Sequence, residues 1–125
     1  MNLSRLAAGY ADLSGYVDVE DGLNRLRKNK TLYARLLNSF ARDTHCDELG
    51  DQLAKGDLAE AQKTAHMIKG VAANLSLPMV YELSARIDAG LKAGDAGVPF
   101  EAFRQAMDKT VAYIAVVIGN LDDID

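Results

Sequence analysis

The sequence predicts an all-α fold, an antiparallel up-and-down four-helix bundle with one or two additional short N-terminal helices. Apolar residues recur at spacings of three and four along most of the 125-residue chain, and no block alternates as a strand does. Glycine, proline and capping residues divide the chain into long segments with short connections, which favours antiparallel neighbours. With 49% apolar residues, the chain has enough core for one domain over residues 1–125.

The first segment carries a short helical stripe from Leu3 to Leu13, which Ser14-Gly15 then interrupts. We therefore interpret residues 1–15 as an accessory helix that packs over one end of a bundle formed by residues 18–122. Asp18 can cap the next helix, which is expected to reach about Lys28.

The third helix is expected to begin at Asn29-Lys30-Thr31 and to end at Gly56. Its pattern falters over residues 41–48, which predicts a local bend near Asp43-Thr44 or an exposed middle turn. The apolar face that precedes the falter is broad and comprises Leu32, Tyr33, Leu36, Leu37 and Phe40.

The next helix is predicted from about Leu58 to Leu75. Asp57 stands at the N-cap position, and Glu60 is placed to complete a capping box. One apolar stripe runs along this helix as its expected buried face, formed by Leu58, Ala61, Ala65, Ile68, Ala72 and Leu75.

Two further helices complete the predicted bundle. Pro78 starts one of them at a first-turn position, and Gly94 is expected to cap its end. Pro99 opens the last helix, which is expected to fade in the acidic tail of residues 122–125. Its inward positions are Phe103, Ala106, Met107, Thr110, Val111, Ile114, Val117 and Ile118.

His66 lies roughly 140° around its helix from the centre of the buried stripe, so its imidazole should face solvent. Lys69 and Gly70 lie one turn further on. Glycine inside a helix costs about 1 kcal/mol relative to alanine, and steric access to the imidazole explains its presence here. A neutral imidazole is a nucleophile at cellular pH, and an ammonium group beside it suits a phosphoryl group. These residues describe an exposed phosphoryl acceptor.

The residues around His66 resemble the histidine-containing phosphotransfer (HPt) domain family. That family carries His-x-x-Lys-Gly on a helix of a four-helix bundle, matched here by His66, Lys69 and Gly70 and followed by a run of small residues. The resemblance extends over about residues 16–94. The sequence differs from the family pattern in two places: Ser76 stands where glycine is common, and Asp88 aligns with an acidic residue that is usually glutamate.

The resemblance implies that His66 accepts a phosphoryl group from the aspartyl phosphate of a receiver domain and passes it to another receiver aspartate. Lys69 would offset the phosphoryl charge, Gly70 would give access, and Gln62 or Lys63 would hydrogen-bond the phosphoryl oxygens or hold the ring. The expected docking surface around His66 comprises Ala59, Met67, Val71 and Ala73. The alternative interpretation is that the accessory N-terminal helix covers Met67 and Val71.

The same resemblance implies a phosphocarrier without cofactor or kinase activity of its own, since the magnesium belongs to the receiver. Receiver domains are the expected partners, and a hybrid sensor kinase is a further expected partner. The sequence leaves open whether the chain is free-standing or part of such a kinase. The bundle can be completed within one chain, which favours a monomer. Met67 follows His66 where a self-phosphorylating kinase helix has an acid, and no Gly-rich nucleotide loop occurs.

Composition limits the other classes. A net charge of −4 without a basic run gives no footprint for nucleic acid. The most apolar run, residues 111–118, is far shorter than the about 20 residues that span a bilayer. A single cysteine and no leader-like N-terminus favour the cytoplasm. His45 and Cys46, with Asp47 and Glu48, lack a second Cys/His pair for a metal site, so an exposed helical turn is expected there.

Two other functions remain open on these residues. A helical protein-interaction module without phosphotransfer would leave His66 incidental to binding. A small hydrolase or phosphatase that uses His66 as acid or base is the weaker alternative, because no second catalytic group is placed beside it.

Overall fold

The structure, a computed structural model, describes residues 3–124 apart from the side chain of Ser4. The described residues contain no strand, and the expected all-helical fold is confirmed for them. The described helices are, in chain order, α1 (Leu3–Gly9), α2 (Leu13–Tyr16), α3 (Val19–Arg25), α4 (Lys30–Arg42), α5 (Cys46–Ala54), α6 (Leu58–Leu75), α7 (Pro78–Lys92) and α8 (Phe100–Asn120). A 3₁₀ turn, Leu121–Asp123, follows α8.

The N-terminal region differs from the single accessory helix expected over Leu3 to Leu13. Helix α1 ends at Gly9, and Ser14 and Gly15 lie inside α2 instead of interrupting a helix. Helix α2 packs against α7 and α8, where Leu13 is buried. This burial outweighs the poor helix propensity of a Ser-Gly pair, which is a weak local preference.

Helix α3 begins as expected and ends earlier. The Asp18 carboxylate accepts the backbone N–H of Asp21 at 3.2 Å, so Asp18 caps the helix. The helix was expected to reach about Lys28 but stops at Arg25, because Arg27 and Lys28 adopt left-handed backbone angles with φ of 54° and 62°. This turn connects α3 to α4.

The faltering pattern after α4 is a complete break between two helices. Residues 43–45 are not helical, and His45 has a left-handed φ of 62° just before α5. The expectation of an exposed helical turn here is wrong, since Cys46 is buried in the hydrophobic core. Of the predicted α4 face, Tyr33, Leu37 and Phe40 are buried and Leu32 is half-buried, whereas Leu36 is exposed.

Helix α6 has the predicted bounds and the predicted buried stripe, with Leu58 half-buried at its start. The predicted capping box at the start of α6 is not formed. Asp57 makes no side-chain cap hydrogen bond, and the Glu60 carboxylate instead pairs with Lys63 at 3.2 Å, one turn along the exposed side. Helix α6 packs most extensively against α7, which follows after only two residues, and also contacts α4 and α5.

Helices α7 and α8 begin where the prolines predict, because Pro78 is the first residue of α7 and Pro99 immediately precedes α8. The predicted inward face of α8 is buried, apart from Val111 and Ile118, which are half-buried. As expected, the last helix ends at the acidic tail: α8 stops at Asn120 and a 3₁₀ turn follows. The tail is nevertheless packed, because Leu121 and Ile124 are buried and the Ile124 carbonyl accepts a hydrogen bond from Lys30. Asp125 lies outside the described residues. None of the described helices combines the length and the apolar character that a membrane span needs.

Candidate functional site

The middle of α6 presents His66 on the side away from the core, as the helical wheel predicts. Its side chain is 59% exposed, although Ala65 and Ile68 beside it are buried. Gly70 lies one turn on, and among the described residues a methyl group there would meet nothing within 4 Å beyond its own stretch of helix. The imidazole is therefore open to an approaching molecule along this side of α6.

A buried carboxylate on α7 holds the imidazole. Asp88 is only 2% exposed, and its Oδ2 lies 3.1 Å from Nδ1 of His66 and 2.9 Å from Nζ of Lys69. Its other oxygen, Oδ1, accepts a hydrogen bond of 2.6 Å from Nε2 of Gln62. We call these four side chains the Asp88 cluster. Gln62, His66 and Lys69 can all reach α7 because spacings of four and three residues place them on one edge of α6.

The Asp88 cluster keeps its carboxylate ionised. Burial alone would raise the pKa of Asp88, but hydrogen bonds from Gln62, Lys69 and His66, together with the Lys69 charge, outweigh burial and hold that pKa well below its usual range. An ionised carboxylate has no proton to give and only accepts hydrogen bonds. The Nδ1 atom of a neutral His66 therefore carries the ring proton and donates it to Asp88, which leaves the lone pair on Nε2.

The other residues singled out in the sequence lie around this cluster in different ways. The Gln62 amide donates to the Asp88 carboxylate and not to the His66 ring. The Lys69 ammonium group also donates to that carboxylate. Lys63 stands outside the cluster, paired with Glu60 on the exposed side of α6. Ala59 is exposed and Ala73 is half-buried. Because an alanine side chain is a single methyl group, both residues present little bulk on the helix surface.

An apolar groove lies beside His66, between α4 and α6. Met67 and Val71 are 41% and 37% exposed, so the N-terminal helices do not cover them. They line a depression of about 420 Å³ together with Leu36, Ser39, Phe40, Asp43, Thr44, His45, Ile68, Asn74 and Leu75. The break between α4 and α5 forms one end of this α4–α6 groove, which places His45 close to the expected docking surface.

The residues around Cys46 do not form a metal centre. The Nδ1 atom of His45 lies 2.8 Å from Glu48, and burial, followed by the charge of Asp47, raises the pKa of the Cys46 thiol to about 11. Over residues 3–124, apart from the Ser4 side chain, no three His, Cys, Asp or Glu side chains are grouped to hold a metal ion.

Ser76 ends α6 in the left-handed conformation, with φ of 58°. This conformation costs a non-glycine residue about 1–2 kcal/mol. Two contacts offset the cost: the Ser76 hydroxyl donates to the Asp21 carboxylate, and the Ser76 carbonyl accepts the Asp18 N–H at 2.9 Å. The serine thus ties the end of α6 to the start of α3.

Comparison with known families identifies the chain. A family model described as Hpt domain matches residues 36–115, which is more than half of the chain and includes all of α6 and α7. The chain therefore belongs to the Hpt domain family, and such domains carry phosphoryl groups on histidine in two-component relays. No curated protein and no solved structure matches the chain significantly.

Sequence reasoning aligned Asp88 with an acidic family position but gave it no role. It also did not single out Lys92, whose Nζ lies 3.6 Å from Oδ2 of Asp88. A signal was present in the spacing, because Gln62, His66 and Lys69 share one edge of α6, where a common acceptor can reach them. The sequence pattern did not show which residue of α7 faces that edge. That depends on how the two helices pack.

Replacing Asp88 with asparagine should change how stability depends on pH. Because the pKa of Asp88 is lowered in the fold, its ionised form stabilises the protein above about pH 4, the ordinary aspartate range, and this contribution is lost as the pH falls towards the folded-state pKa. We expect Asp88→Asn to be about 1–3 kcal/mol less stable at pH 7 and to lose less further stability on acidification than the parent. Urea unfolding at several pH values measures both effects.

The control for this experiment is Asp51→Asn, which alters an exposed carboxylate on α5. Because this side chain is exposed, the unfolding free energy of the control at pH 7 should lie within about 0.5 kcal/mol of the parent value. If Asp88→Asn runs parallel to the parent between pH 7 and 2, the Asp88 carboxylate does not hold the cluster as described.

Proposed function

We propose that the chain is a phosphorelay intermediate in which His66 accepts a phosphoryl group from the aspartyl phosphate of a receiver domain and passes it to another receiver aspartate. One observation carries this proposal. The exposed imidazole is held through Nδ1 by the buried Asp88, which leaves the Nε2 lone pair available to an incoming group.

The transfer needs no proton removed from the nucleophile. The Nε2 lone pair attacks phosphorus in line, and the N–P bond forms as the P–O bond to the aspartyl group breaks, so that the receiver carboxylate leaves with the bonding electrons. The ring keeps its Nδ1 proton and becomes positively charged, and the ionised Asp88 stabilises that charge. Transfer to the next receiver is the same step in reverse.

Other residues on α6 would make the transfer possible without reacting themselves. Lys69 would offset the charge of the phosphoryl group, and Gly70 would leave room for the receiver's active-site surface. Gln62 would act through Asp88, since its amide is bonded to that carboxylate. Lys63 would be a weaker contributor to the phosphoryl contacts because it is already paired with Glu60.

The α4–α6 groove would receive the docked receiver domain. Its exposed Leu36, Met67 and Val71 side chains are an apolar patch that includes Met67, the residue after His66. The low bulk of Ala59 and Ala73 would let the partner approach the helix surface closely.

The remaining features of the proposal concern organisation and partners. Helices α6, α7 and α8, with α4 and α5 as the two halves of the remaining helix, would form the antiparallel up-and-down four-helix bundle of a monomeric single domain, as the packing of α6 on α7 and of α7 on α8 supports. The chain would bring no cofactor or kinase activity, and the magnesium would belong to the receiver. A cytoplasmic location, either free-standing or within a hybrid sensor kinase, fits this role.

A helical interaction module is the second candidate, and the α4–α6 groove is the observation that favours it. The groove would bind an apolar partner surface even if His66 never reacted. This alternative predicts that His66→Ala leaves partner binding and signalling intact.

Labelling by a phosphorylated receiver domain tests the phosphotransfer role. We expect label to pass to the parent chain and to His45→Gln but not to His66→Gln, because only the His66 imidazole is held with a free nucleophilic nitrogen beside Gly70. The label should be acid-labile and alkali-stable. ATP and magnesium alone should leave the chain unlabelled. Label that persists in His66→Gln, or strong labelling by ATP alone, would contradict the proposal.

Substituting Gly70 tests steric access separately from the chemistry. Gly70→Gln should be as stable as the parent or more stable by about 0.5–1 kcal/mol, because glutamine is the better helix former. Transfer from the receiver should nevertheless slow by about a hundredfold, since the side chain displaces the docked partner. Gly119→Gln is the matched control, because Gly119 is an exposed glycine on α8 with similar open space. Equal transfer rates for both variants would refute the access argument.

A further inference from the structure

A second lysine stands next to the Asp88 cluster. Lys92 is one turn after Asp88 on α7, and its Nζ lies 3.6 Å from Oδ2, within ion-pair distance but beyond a hydrogen bond. Lys69 holds the same oxygen at 2.9 Å. The Lys92 side chain is 57% exposed, so it is free to change conformation at little cost. The ammonium groups of Lys69 and Lys92 thus compete for Oδ2 of Asp88, and Lys69 is the one that is hydrogen-bonded to it.

Lys69 is poorly placed for a phosphoryl group while it holds Asp88. Its ammonium lies at the oxygen that accepts the His66 Nδ1 proton, whereas the phosphoryl group would form on Nε2, on the other side of the ring. To contact phosphoryl oxygens, Lys69 must move away from Oδ2. Asp88 then keeps the His66 ring N–H and the Gln62 amide but loses its ammonium partner, and removing one partner of a buried ion pair is destabilising.

The charges of the site lead to the same requirement. Before transfer, Lys69 balances Asp88 and the imidazole is neutral. After transfer, the phosphoryl group carries up to about two negative charges and the ring carries one positive charge. The site then has an excess of negative charge, and one further cation restores the balance.

We propose that Lys92 replaces Lys69 on Asp88 when His66 is phosphorylated, so that Lys69 moves to the phosphoryl group. This inference rests on the proposed phosphotransfer function. No covalent bond changes in the exchange, and Lys92 does not touch the phosphoryl group. Lys92 is therefore a positioning residue that acts through Asp88 and Lys69.

The other cations near His66 are less suited to this exchange. Lys63 is on α6 and is paired with Glu60, and Arg86 on α7 is held by Glu82 at 2.7 Å. Lys92 lies four residues after Asp88, which places both side chains on the same face of α7. Its place in the last turn of α7 also suits a positive charge.

The test compares Lys92→Gln and Lys92→Arg with Arg86→Gln, which removes an exposed positive charge from the same helix. Each variant is phosphorylated by phosphoramidate, a small donor that needs no docked partner, and separately by a phosphorylated receiver domain. We expect Lys92→Gln to slow transfer from the receiver by about tenfold, the effect of one charged hydrogen bond. Lys92→Arg and Arg86→Gln should transfer at about the parent rate.

Two further readouts separate positioning from a structural role. The thermal midpoint of unphosphorylated Lys92→Gln should equal that of Arg86→Gln, because Lys69 still holds Asp88 in that state. In a Lys69→Gln background, removing Lys92 should slow transfer no further, since there is no Lys69 left to release.

The inference is overturned if Lys92→Gln transfers as fast as Arg86→Gln. It is also overturned if the losses in Lys69→Gln and Lys92→Gln multiply, or if Lys92→Gln lowers the thermal midpoint and Lys92→Arg fails to restore the rate. If neither donor labels His66 in the parent, the proposed function fails and the inference falls with it. Normal labelling of the parent with an unaffected Lys92→Gln would overturn the inference alone.

Discussion

The contact between His66 and Asp88 is the interaction on which the rest of the site depends. An ionised carboxylate can stay buried between α6 and α7 only because Gln62, His66 and Lys69 supply hydrogen bonds and charge from one edge of α6. The same hydrogen bonds decide which nitrogen of His66 carries the proton. The Asp88 carboxylate, whose burial would be destabilising without these partners, therefore determines the direction from which the imidazole can react.

The fold supplies this contact through the α6–α7 hairpin. Ser76 ends α6 in a left-handed conformation, and Pro78 starts α7 after a very short connection, so the two helices lie side by side. The small Ala61, Ala65 and Ala72 side chains on the buried stripe of α6 are all fully covered. This packing leaves the opposite side of α6 free for His66 and Gly70, while the break between α4 and α5 opens the apolar groove beside them.

Features encoded by local signals could be predicted from the sequence, and features set by packing could not. The bounds of α6 follow from Gly56, Asp57 and Pro78, and the exposure of His66 follows from the period of the helix. The helical Ser14-Gly15 pair and the buried Ile124 depend on contacts with distant parts of the chain. The Asp88 cluster depends on the register of α7 against α6. A capping box at Asp57 was equally favoured by local sequence, but Glu60 found a partner in Lys63 instead.

The most direct test of this account is the position of the phosphoryl group on the His66 ring. Nitrogen–phosphorus couplings measured by NMR on ¹⁵N-labelled, phosphorylated protein distinguish the two ring nitrogens. Because Asp88 holds the Nδ1 proton, the account predicts that phosphorus is bonded to Nε2 while Nδ1 remains protonated. A phosphoryl group on Nδ1 would show that Asp88 does not set the reacting nitrogen and would contradict the central claim.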